Sequence, residues 1–182
     1  MSLVVLLGGA RSGKSRAAVD LAASHAAGVV FVATAEALDD EMAARIAAHR
    51  QERPESWRTI EAPVELEQAV AAVEGSATCL VDCLSLWVSN LLLRGDGHDV
   101  IEAAARASAR AAATRPGLTI AVTNEVGLGV VPATPLGREY RDLLGTVNRV
   151  WVEASERAAF VVAGRFLPLV AGGDVLAGPG AP

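Results

Sequence analysis

Apolar residues occur in two kinds of pattern along this chain: short uninterrupted runs, and longer stretches where they recur every three or four positions. Runs of the first kind are rich in Val, Leu and Ile and predict buried strands at residues 3–7, 29–33, 78–82, 118–123 and 160–163. Stretches of the second kind predict helices at residues 14–25, 39–50, 64–73, 84–93, 100–114 and 136–155. Because helices separate the strands, we predict a mostly parallel sheet with helices on both faces.

The two ends of the chain extend this prediction. A last apolar run, at residues 167–170, follows the strand at 160–163 across Gly164 and Arg165, which predicts a terminal antiparallel hairpin. Residues 173–182 are rich in Gly and Pro and are expected to fray. We therefore predict one domain over residues 1–172. The opening run MSLVVLLGG carries no basic residue and is interpreted as a buried strand, not a signal peptide.

Composition narrows the class of protein. The 182 residues include 16 Lys and Arg against 21 Asp and Glu, a net charge of -5 that argues against a general nucleic-acid binder but not against small anionic ligands. No apolar stretch reaches the roughly 18 to 20 residues of a membrane span. Cys79 and Cys83 lie in an apolar run, which indicates buried thiols without a disulfide and favours the cytoplasm.

The clearest motif, GGARSGKS, lies between the first predicted strand and the first predicted helix. It matches the phosphate-binding P-loop pattern G-x-x-x-x-G-K-[ST], and its position argues against a glycine-rich turn with a chance lysine. Backbone N–H groups and the helix N-terminus would face an anion. Lys14 would contact the β and γ phosphates, and the Ser15 hydroxyl would bind Mg²⁺. The predicted nucleotide-binding loop comprises Gly8, Gly9, Ala10, Arg11, Ser12, Gly13, Lys14 and Ser15.

An acidic residue, Asp82, ends the third predicted strand. It could hold the magnesium ion through water, as a Walker B aspartate does. The less favoured alternative is an ordinary N-cap for the helix that starts at residue 84. With the P-loop, the strand and helix order predicts an α/β fold of the P-loop NTPase type, RecA-like, with a C-terminal antiparallel hairpin.

The second predicted helix carries a histidine on its apolar face. Met42, Ile46 and His49 are four and three residues apart, so they share one side of the helix. A lone histidine in that setting is usually a core residue whose hydrogen bonds are satisfied. The acidic residues that open the helix suit the positive end of its dipole.

Three arginines change the interpretation of His49. Arg45 precedes it by one turn, Arg50 follows it, and Arg53 lies just past the predicted end of the helix. Repulsion between like charges favours the neutral, nucleophilic imidazole, and guanidiniums bind phosphate oxygens. This arrangement suits attack on the α-phosphate of a nucleotide with pyrophosphate leaving. A solvated basic patch, balanced by nearby acidic residues, remains the alternative.

Taken in order, the segments GGARSGKS, LDDEMAARIAAHRQERP, SWRTIEAP, VTNEVGLGVVP and GREYRDLLGTVN resemble a known enzyme family. It is the bifunctional adenosylcobinamide kinase/adenosylcobinamide-phosphate guanylyltransferase family of cobalamin biosynthesis, and the resemblance runs over residues 3–148 and, in looser form, to the terminal hairpin. It implies phosphorylation of adenosylcobinamide with ATP or GTP. It also implies transfer of GMP from GTP to that phosphate through a guanylylated histidine, giving adenosylcobinamide-GDP.

The resemblance also implies site residues. The histidine that carries GMP falls on His49, and Lys14 is the second catalytic residue. Beyond the P-loop, the implied nucleotide contacts are Ala33, Thr34, Ala35, Arg50, Gln51, Glu52, Arg53, Glu61 and Asp82. Glu61, in an isolated extended piece at residues 57–62, could accept hydrogen bonds from guanine or be an ordinary exposed carboxylate. Whether Asp82 contacts metal or guanine stays open, and Asn124 and Glu125 are candidates for positioning the corrinoid or the metal.

The ligands and partners expected from the resemblance are Mg²⁺, ATP and GTP as substrates, and adenosylcobinamide. It further suggests a homo-oligomer, with a trimer as one form. Two rival functions remain: a kinase or guanylyltransferase with only one of the activities, and a RecA-like NTPase acting on nucleic acid or protein. The presence of both Lys14 and His49 favours the bifunctional enzyme, and the acidic net charge weighs against action on nucleic acid.

Overall fold

Strands and helices alternate along the chain in the computed structural model, which describes residues 2–25, 28–37, 39–51 and 53–171. The strands of this part are β1 (Ser2–Gly8), β2 (Val29–Ala33), β3 (Arg58–Glu61), β4 (Thr78–Asp82), β5 (Leu118–Asn124), β6 (Arg157–Val162) and β7 (Arg165–Leu169). Its helices are α1 (Lys14–Ala23), α2 (Asp40–Gln51), α3 (Leu66–Ala71), α4 (Leu84–Arg94), α5 (His98–Thr114) and α6 (Pro135–Ala154). The predicted tail at 173–182 lies outside the described residues.

One sheet contains all of these strands, in the order β3-β2-β4-β5-β1-β6-β7. Neighbouring strands are parallel from β3 to β6, and β7 runs antiparallel to β6. The predicted α/β architecture with a C-terminal hairpin is therefore confirmed. Alternate residues of β1 face opposite sides of the sheet: Leu3 and Val5 pack beneath α3 to α6, whereas Val4 and Leu6 pack beneath α1.

Three details differ from the sequence prediction. The extended piece at 57–62 is not isolated, because β3 pairs with β2 as the outer strand of the sheet. β6 begins at Arg157, earlier than predicted, because its small alanines do not stand out as an apolar run. The hairpin turns at Ala163 and Gly164, both with positive φ (49° and 72°), as a tight two-residue turn requires. Pro168 is tolerated because β7 is an edge strand.

The order of the central strands determines where a ligand can bind. β5 lies between β4 and β1, and Gly8 is in register with Asn124 while Asp82 is in register with Val122. The residues that follow β1, β4 and β5 therefore meet at the carboxyl edge of the sheet, where open α/β sheets bind ligands. Within the described ranges, no helix has the length and apolar character needed to cross a membrane.

Candidate active site

The loop between β1 and α1 has the conformation that its glycines permit. Gly13 has φ of 95°, a left-handed value that favours glycine. A Cβ on Gly8 would lie 2.5 Å from the backbone oxygen of Val161, so the loop approaches the neighbouring strand too closely for a side chain. Lys14 is buried and its Nζ donates a hydrogen bond to the backbone oxygen of Gly9 at 3.0 Å. The loop is thus curled around its own lysine.

Backbone hydrogen bonds from two other elements hold this loop in place. The N–H of Gly164, in the β6–β7 turn, donates to the oxygen of Ser12 at 2.8 Å. The N–H of Glu125, just past β5, donates to the oxygen of Gly8 at 3.1 Å. Since both donors belong to the sheet or its turns, the loop is preorganised before any ligand arrives.

A cavity of about 430 Å³ opens beside the loop, within the size range of pockets for one small molecule. Three regions contribute to its lining. Its described lining residues are Ala10, Arg11, Ser12, Gly13, Lys14, Ser15 and Arg16 from the loop and α1; Met42, Arg45, Ile46, His49 and Arg53 from α2 and beyond; and Phe31, Ala33, Ala35, Asp82, Cys83, Leu86 and Asn124 from β2, β4, β5, the residues just after β2 and β4, and α4. Lys14 and His49, far apart in the sequence, therefore line the same cavity.

The helix α2 presents its predicted face to this cavity. Met42, Ile46 and His49 are half-buried and line it, whereas the intervening residues of α2 are exposed. Asp39 caps the helix, since its Oδ1 accepts a hydrogen bond from the N–H of Met42 at 2.7 Å. The prediction of a shared face is confirmed.

Arg53 connects the end of α2 to the sheet. Its Nε donates to the backbone oxygen of His49 at 3.0 Å, and its guanidinium carbon lies 3.7 Å from the centre of the Phe31 ring. This is the geometry of a cation–π contact. Burial lowers the pKa of Arg53, partly offset by Asp82, yet the group stays charged in the physiological range. A cation is thus held at the cavity wall next to the histidine.

The only carboxylate in the described lining, Asp82, is surrounded by cations. Burial raises its pKa, and this is opposed by the proximity of His49, by a hydrogen bond from Ser15, and by Lys14 and Arg53. Burial also disfavours the charged form of Lys14, and for this amine the effect is a lowered pKa. The lining therefore combines one carboxylate with several cations, which suits a polyanionic ligand such as a triphosphate.

The contact between Ser15 and Asp82 also bears on magnesium. The described residues contain no group of three or more His, Cys, Asp or Glu able to hold a metal. A magnesium ion bound with a nucleotide needs fewer protein ligands, because phosphates and water supply the others. The hydroxyl of Ser15 beside a carboxylate fits that kind of site, and does not fit a metal site built from protein alone.

A hydrogen-bond network behind the lining fixes the ends of β2 and β4. Thr34 Oγ1 donates to the backbone oxygen of Cys83 and accepts from its N–H, both at 2.7 Å. Asn90 Nδ2 donates to the oxygen of Thr34 at 2.8 Å. Thr34 is fully buried and supports the lining from behind. Next to it, Cys83 Sγ lies 2.9 Å from Ser85 Oγ, which accepts from Asn124 Nδ2 at 2.9 Å.

Burial raises the pKa of the Cys83 thiol to about 11, so the thiol is neutral at physiological pH. Although this thiol lines the cavity, it lacks the thiolate character that a nucleophilic cysteine needs. The network thus presents to the cavity a neutral thiol and a partly exposed amide, Asn124. These groups are chemically distinct from the lysine and arginines that also line the cavity.

The predicted site residues divide into two groups by position. Those that line the cavity are Ala10, Arg11, Ser12, Gly13, Lys14, Ser15, Ala33, Ala35, His49, Arg53 and Asp82. Those that do not are Gly8, Gly9, Thr34, Arg50, Gln51 and Glu61. Arg50 and Glu61 are exposed and form an ion pair with each other. Glu52 lies outside the described residues, and so its predicted role has no structural counterpart here.

Sequence reasoning missed four lining residues, namely Arg16, Phe31, Cys83 and Leu86. Phe31 had a usable signal: strand alternation puts it on the face opposite Val30 and Val32, near the end of β2 that borders the P-loop. The others had none, because their positions depend on how α1 and α4 leave the sheet.

A parallel sheet with a glycine loop at its carboxyl edge, a buried lysine in the loop and an acidic residue on a nearby strand defines a P-loop nucleotide-binding protein. Solved structures agree with this fold. An ATPase from the type III secretion system of pathogenic bacteria has a TM-score of 0.54 and 9% identity, covering 97% of this chain and 60% of its own. A protein from Pyrococcus horikoshii OT3 has a TM-score of 0.55 and 8% identity, covering 92% and 85%.

Sequence comparison identifies the family. The model for cobinamide kinase / cobinamide phosphate guanyltransferase matches residues 4–169, and the chain belongs to this family. Two relatives are bifunctional adenosylcobalamin biosynthesis proteins. CobP of Pseudomonas aeruginosa is 45% identical over 166 residues, covering 91% of this chain and 95% of its own. CobU of Escherichia coli K12 is 39% identical over 175 residues, covering 89% and 96%. The resemblance stated from the sequence is confirmed.

Proposed function

We propose that this chain catalyses both reactions for which its family is named, using one nucleotide cavity. It would phosphorylate adenosylcobinamide with ATP or GTP, and then transfer GMP from GTP to that phosphate to give adenosylcobinamide-GDP. The observation that carries the proposal is the common cavity lined by Lys14 and His49. A triphosphate bound in this cavity would lie close to both the P-loop lysine and the histidine.

In the kinase step, the P-loop N–H groups and Lys14 hold the β and γ phosphates and stabilise the charge that develops on them. The hydroxyl of adenosylcobinamide attacks the γ-phosphorus. An O–P bond forms as the bond from that phosphorus to the β–γ bridging oxygen breaks, releasing a nucleoside diphosphate and the hydroxyl proton. His49 takes no part in this step.

In the transfer, a ring nitrogen of His49 attacks the α-phosphorus of GTP. The N–P bond forms as the bond to the α–β bridging oxygen breaks, and pyrophosphate leaves. The phosphate oxygen of adenosylcobinamide phosphate then attacks the same phosphorus, breaking the N–P bond and restoring the imidazole. Arg45 and Arg53 line the cavity on the side of His49 and are placed to neutralise the phosphate oxygens in both displacements.

Magnesium fits the cavity as a companion of the nucleotide. Ser15 and Asp82 would hold it, the aspartate through water, and it would neutralise negative charge on the triphosphate. Lys14 and the cations near Asp82 keep that carboxylate among positive groups, which favours its ionised form against the effect of burial.

The cavity has the volume of one small-molecule site, so both reactions would use it in turn. ATP and GTP should therefore compete. Arg50 and Glu61 pair with each other outside the cavity, so either would have to leave its partner before it could contact guanine. Asn124, which lines the cavity, and Glu125 beside it are candidates for positioning the acceptor. We further propose a homo-oligomer and, from the two free cysteines, the cytoplasm.

A labelling experiment tests the covalent step. The protein is incubated with GTP labelled on the α-phosphate and denatured, and the chain is assayed for acid-labile, base-stable label. The wild type should take up label and His49→Ala should not. The matched control is His98→Ala, since His98 lies on α5 and contacts Glu139 instead of the cavity. Absence of label on the wild type, or equal label on His49→Ala, would overturn the covalent mechanism.

The alternative functions predict different results when the same protein preparation is assayed for label uptake, kinase activity and DNA binding. A chain with the kinase activity alone would phosphorylate adenosylcobinamide without taking up label. A RecA-like NTPase would bind DNA at physiological salt and hydrolyse nucleotide faster with it. The bifunctional enzyme should show label, kinase activity and no DNA binding.

A further inference from the structure

The acceptor cannot fit where the nucleotide binds. A cavity of about 430 Å³ is near the lower end of the range for one small-molecule ligand, roughly 300 to 1,000 Å³. A nucleoside triphosphate uses that space. A corrinoid is a far larger molecule, with a wide macrocycle bearing methyl groups and amide side chains. Only its reacting hydroxyl or phosphate can enter, so the macrocycle must lie on the surface at the cavity mouth.

One segment that continues along the chain from the cavity lining is unusually apolar. It is the segment 126–131, here called the apolar loop, which begins two residues after the cavity-lining Asn124. Four of its residues are aliphatic and exposed, with Leu128 79% and Val130 94% exposed, followed by Val126 and Val131. From residue 126 to 136 there is no charged side chain. Clustered exposed apolar groups of this kind mark interaction sites.

The apolar loop is anchored at both of its ends, to the P-loop at one end and to α6 at the other. Before it, the N–H of Glu125 donates to the P-loop oxygen of Gly8 at 3.1 Å. After it, Arg138 on α6 donates to the backbone oxygens of Pro132 and Ala133, at 3.0 and 2.9 Å. Its aliphatic side chains thus remain in water although the loop is anchored, which costs free energy unless a ligand covers them.

The elements that contribute to the cavity lining differ in charge. Arg16, Arg45 and Arg53 line the cavity from α1 and from α2 and the residues just after it, and they suit phosphates. The β5 side offers the neutral amide of Asn124 and then the uncharged apolar loop. A molecule with a hydroxyl or phosphate at one end and a methyl-rich ring at the other matches this division.

We propose that the apolar loop is the docking surface for the corrin macrocycle of the acceptor, an inference that rests on the proposed function. The methyl-rich edge of the ring packs on Leu128 and Val130, and the chain bearing the reacting group passes Asn124 into the cavity. The same docking serves both reactions, because the acceptor differs between them only by one phosphate.

The test is the double variant Leu128→Asp/Val130→Asp, which places two charges on the apolar loop without touching a lining residue. We expect the KM for adenosylcobinamide to rise about tenfold or more, since each lost apolar contact is worth on that order. Uptake of label from GTP in the absence of corrinoid should stay at the wild-type rate. The conservative variant Leu128→Met should keep the wild-type KM.

The control is Leu93→Asp, which changes another exposed aliphatic residue, with Leu93 61% exposed. Leu93 is near the end of α4, and α4 begins at the cavity edge directly after β4, so Leu93 is remote from the mouth. Its KM for adenosylcobinamide should not change. Light scattering is measured on every variant, because a second copy of the chain is the competing occupant of the apolar loop.

The measurements distinguish the possible roles of the apolar loop. An unchanged KM for adenosylcobinamide in the double variant overturns the proposal. If the KM is unchanged and the molar mass falls, the loop is an interface between copies. If the double variant takes up less label from GTP than the wild type, the loop acts on nucleotide binding or on the fold, and the proposal is again overturned. Failure of the proposed function is seen separately, as a wild-type chain that takes up no label.

Discussion

The P-loop and the helix α2 form two walls of one cavity, and they are built differently. The P-loop follows a strand whose residues 3–8 are all buried, and backbone hydrogen bonds from the β6–β7 turn and from the end of β5 hold it. None of the 12 residues of α2 is buried. It contacts the cavity through half-buried side chains and is connected to the sheet through Arg53 and Phe31.

This difference separates two tasks. Phosphate binding uses backbone N–H groups whose directions must be accurate, and a loop fixed by the sheet provides them without reorganisation. A histidine that receives GMP and then presents it to a second acceptor has to serve two partners. A helix with few buried apolar contacts belongs to the less stable end of a protein's local opening equilibria. We therefore expect the P-loop to be rigid and α2 to adapt to its ligand.

The largest expected contrast is in hydrogen exchange. Amides of α2 should exchange about 10³-fold faster than those of β1, since local opening of α2 exposes no buried side chain whereas opening of β1 requires global unfolding. Exchange measured by mass spectrometry on the nucleotide-free protein checks this. Equal protection in the two elements would mean that α2 is as firmly packed as the sheet.

Next in size is the effect of Lys14→Ala on the kinase reaction. Lys14 is the sole lysine in the sequence, and its removal should lower the kinase kcat about 10²- to 10³-fold, as loss of one charge-stabilising donor typically does. Uptake of label should fall too, because the same loop holds GTP. His49→Ala should abolish labelling and leave the kinase rate intact. A Lys14→Ala protein with a normal kinase rate would contradict the assignment.

A third prediction concerns the contribution of the P-loop to the stability of the fold. Gly8→Ala should lower the free energy of unfolding by about 1 to 3 kcal/mol, because its Cβ would overlap the oxygen of Val161. Chemical denaturation of the nucleotide-free protein measures it. The control is Gly9→Ala, where a Cβ meets nothing within 4 Å and the change should stay within about 0.5 kcal/mol. Similar losses in both variants would show that the close approach is not the cause.

At the wall formed by α2, the variant Arg53→Ala should slow the uptake of label. This change removes the contact with the Phe31 ring and the hydrogen bond to the oxygen of His49, so label uptake should slow about 3- to 30-fold, corresponding to roughly 0.5 to 2 kcal/mol. Arg50→Ala should have a smaller effect, since its exposed pair with Glu61 is worth about 0 to 1 kcal/mol. A larger effect at Arg50 than at Arg53 would reverse the assignment of the cation beside His49.

The smallest effect is expected at Asp82, and it is pH-dependent. Burial raises the pKa of Asp82 in the folded chain, so the folded state holds the proton more tightly than the unfolded state. The resulting stability is full below the unfolded pKa and is lost as pH rises through the raised value. Asp82→Asn should therefore raise the melting temperature of the nucleotide-free protein at neutral pH. A lower melting temperature there would contradict this sign.

The same variant links stability to ligand binding. Because Asp82 is proposed to hold magnesium with the nucleotide, the rise in melting temperature on adding Mg²⁺ and GTP should be smaller for Asp82→Asn than for the wild type. Ligand-induced shifts in melting temperature measure this. An undiminished shift would remove Asp82 from the metal site.

Much of the cavity could be predicted from the sequence because its parts have local signatures. The P-loop pattern lies between a strand and a helix, and the apolar spacing of Met42, Ile46 and His49 identified the face of α2 that turns inward. Both follow from periodicity within one element. The position of Glu61 had no such signature, since β3 is a short edge strand whose side chains are mostly exposed.

The sequence by itself determined the α/β class, the phosphate-binding loop, the family and the inward face of α2, because each depends on residues close together in the chain. Only the tertiary structure decided that His49 and Lys14 line one cavity, that Arg53 packs on Phe31 while Arg50 pairs with Glu61 outside, and that the aliphatic residues of the apolar loop are exposed. These features depend on strand order and on the directions in which helices leave the sheet. Those are set by long-range packing, which no local pattern records.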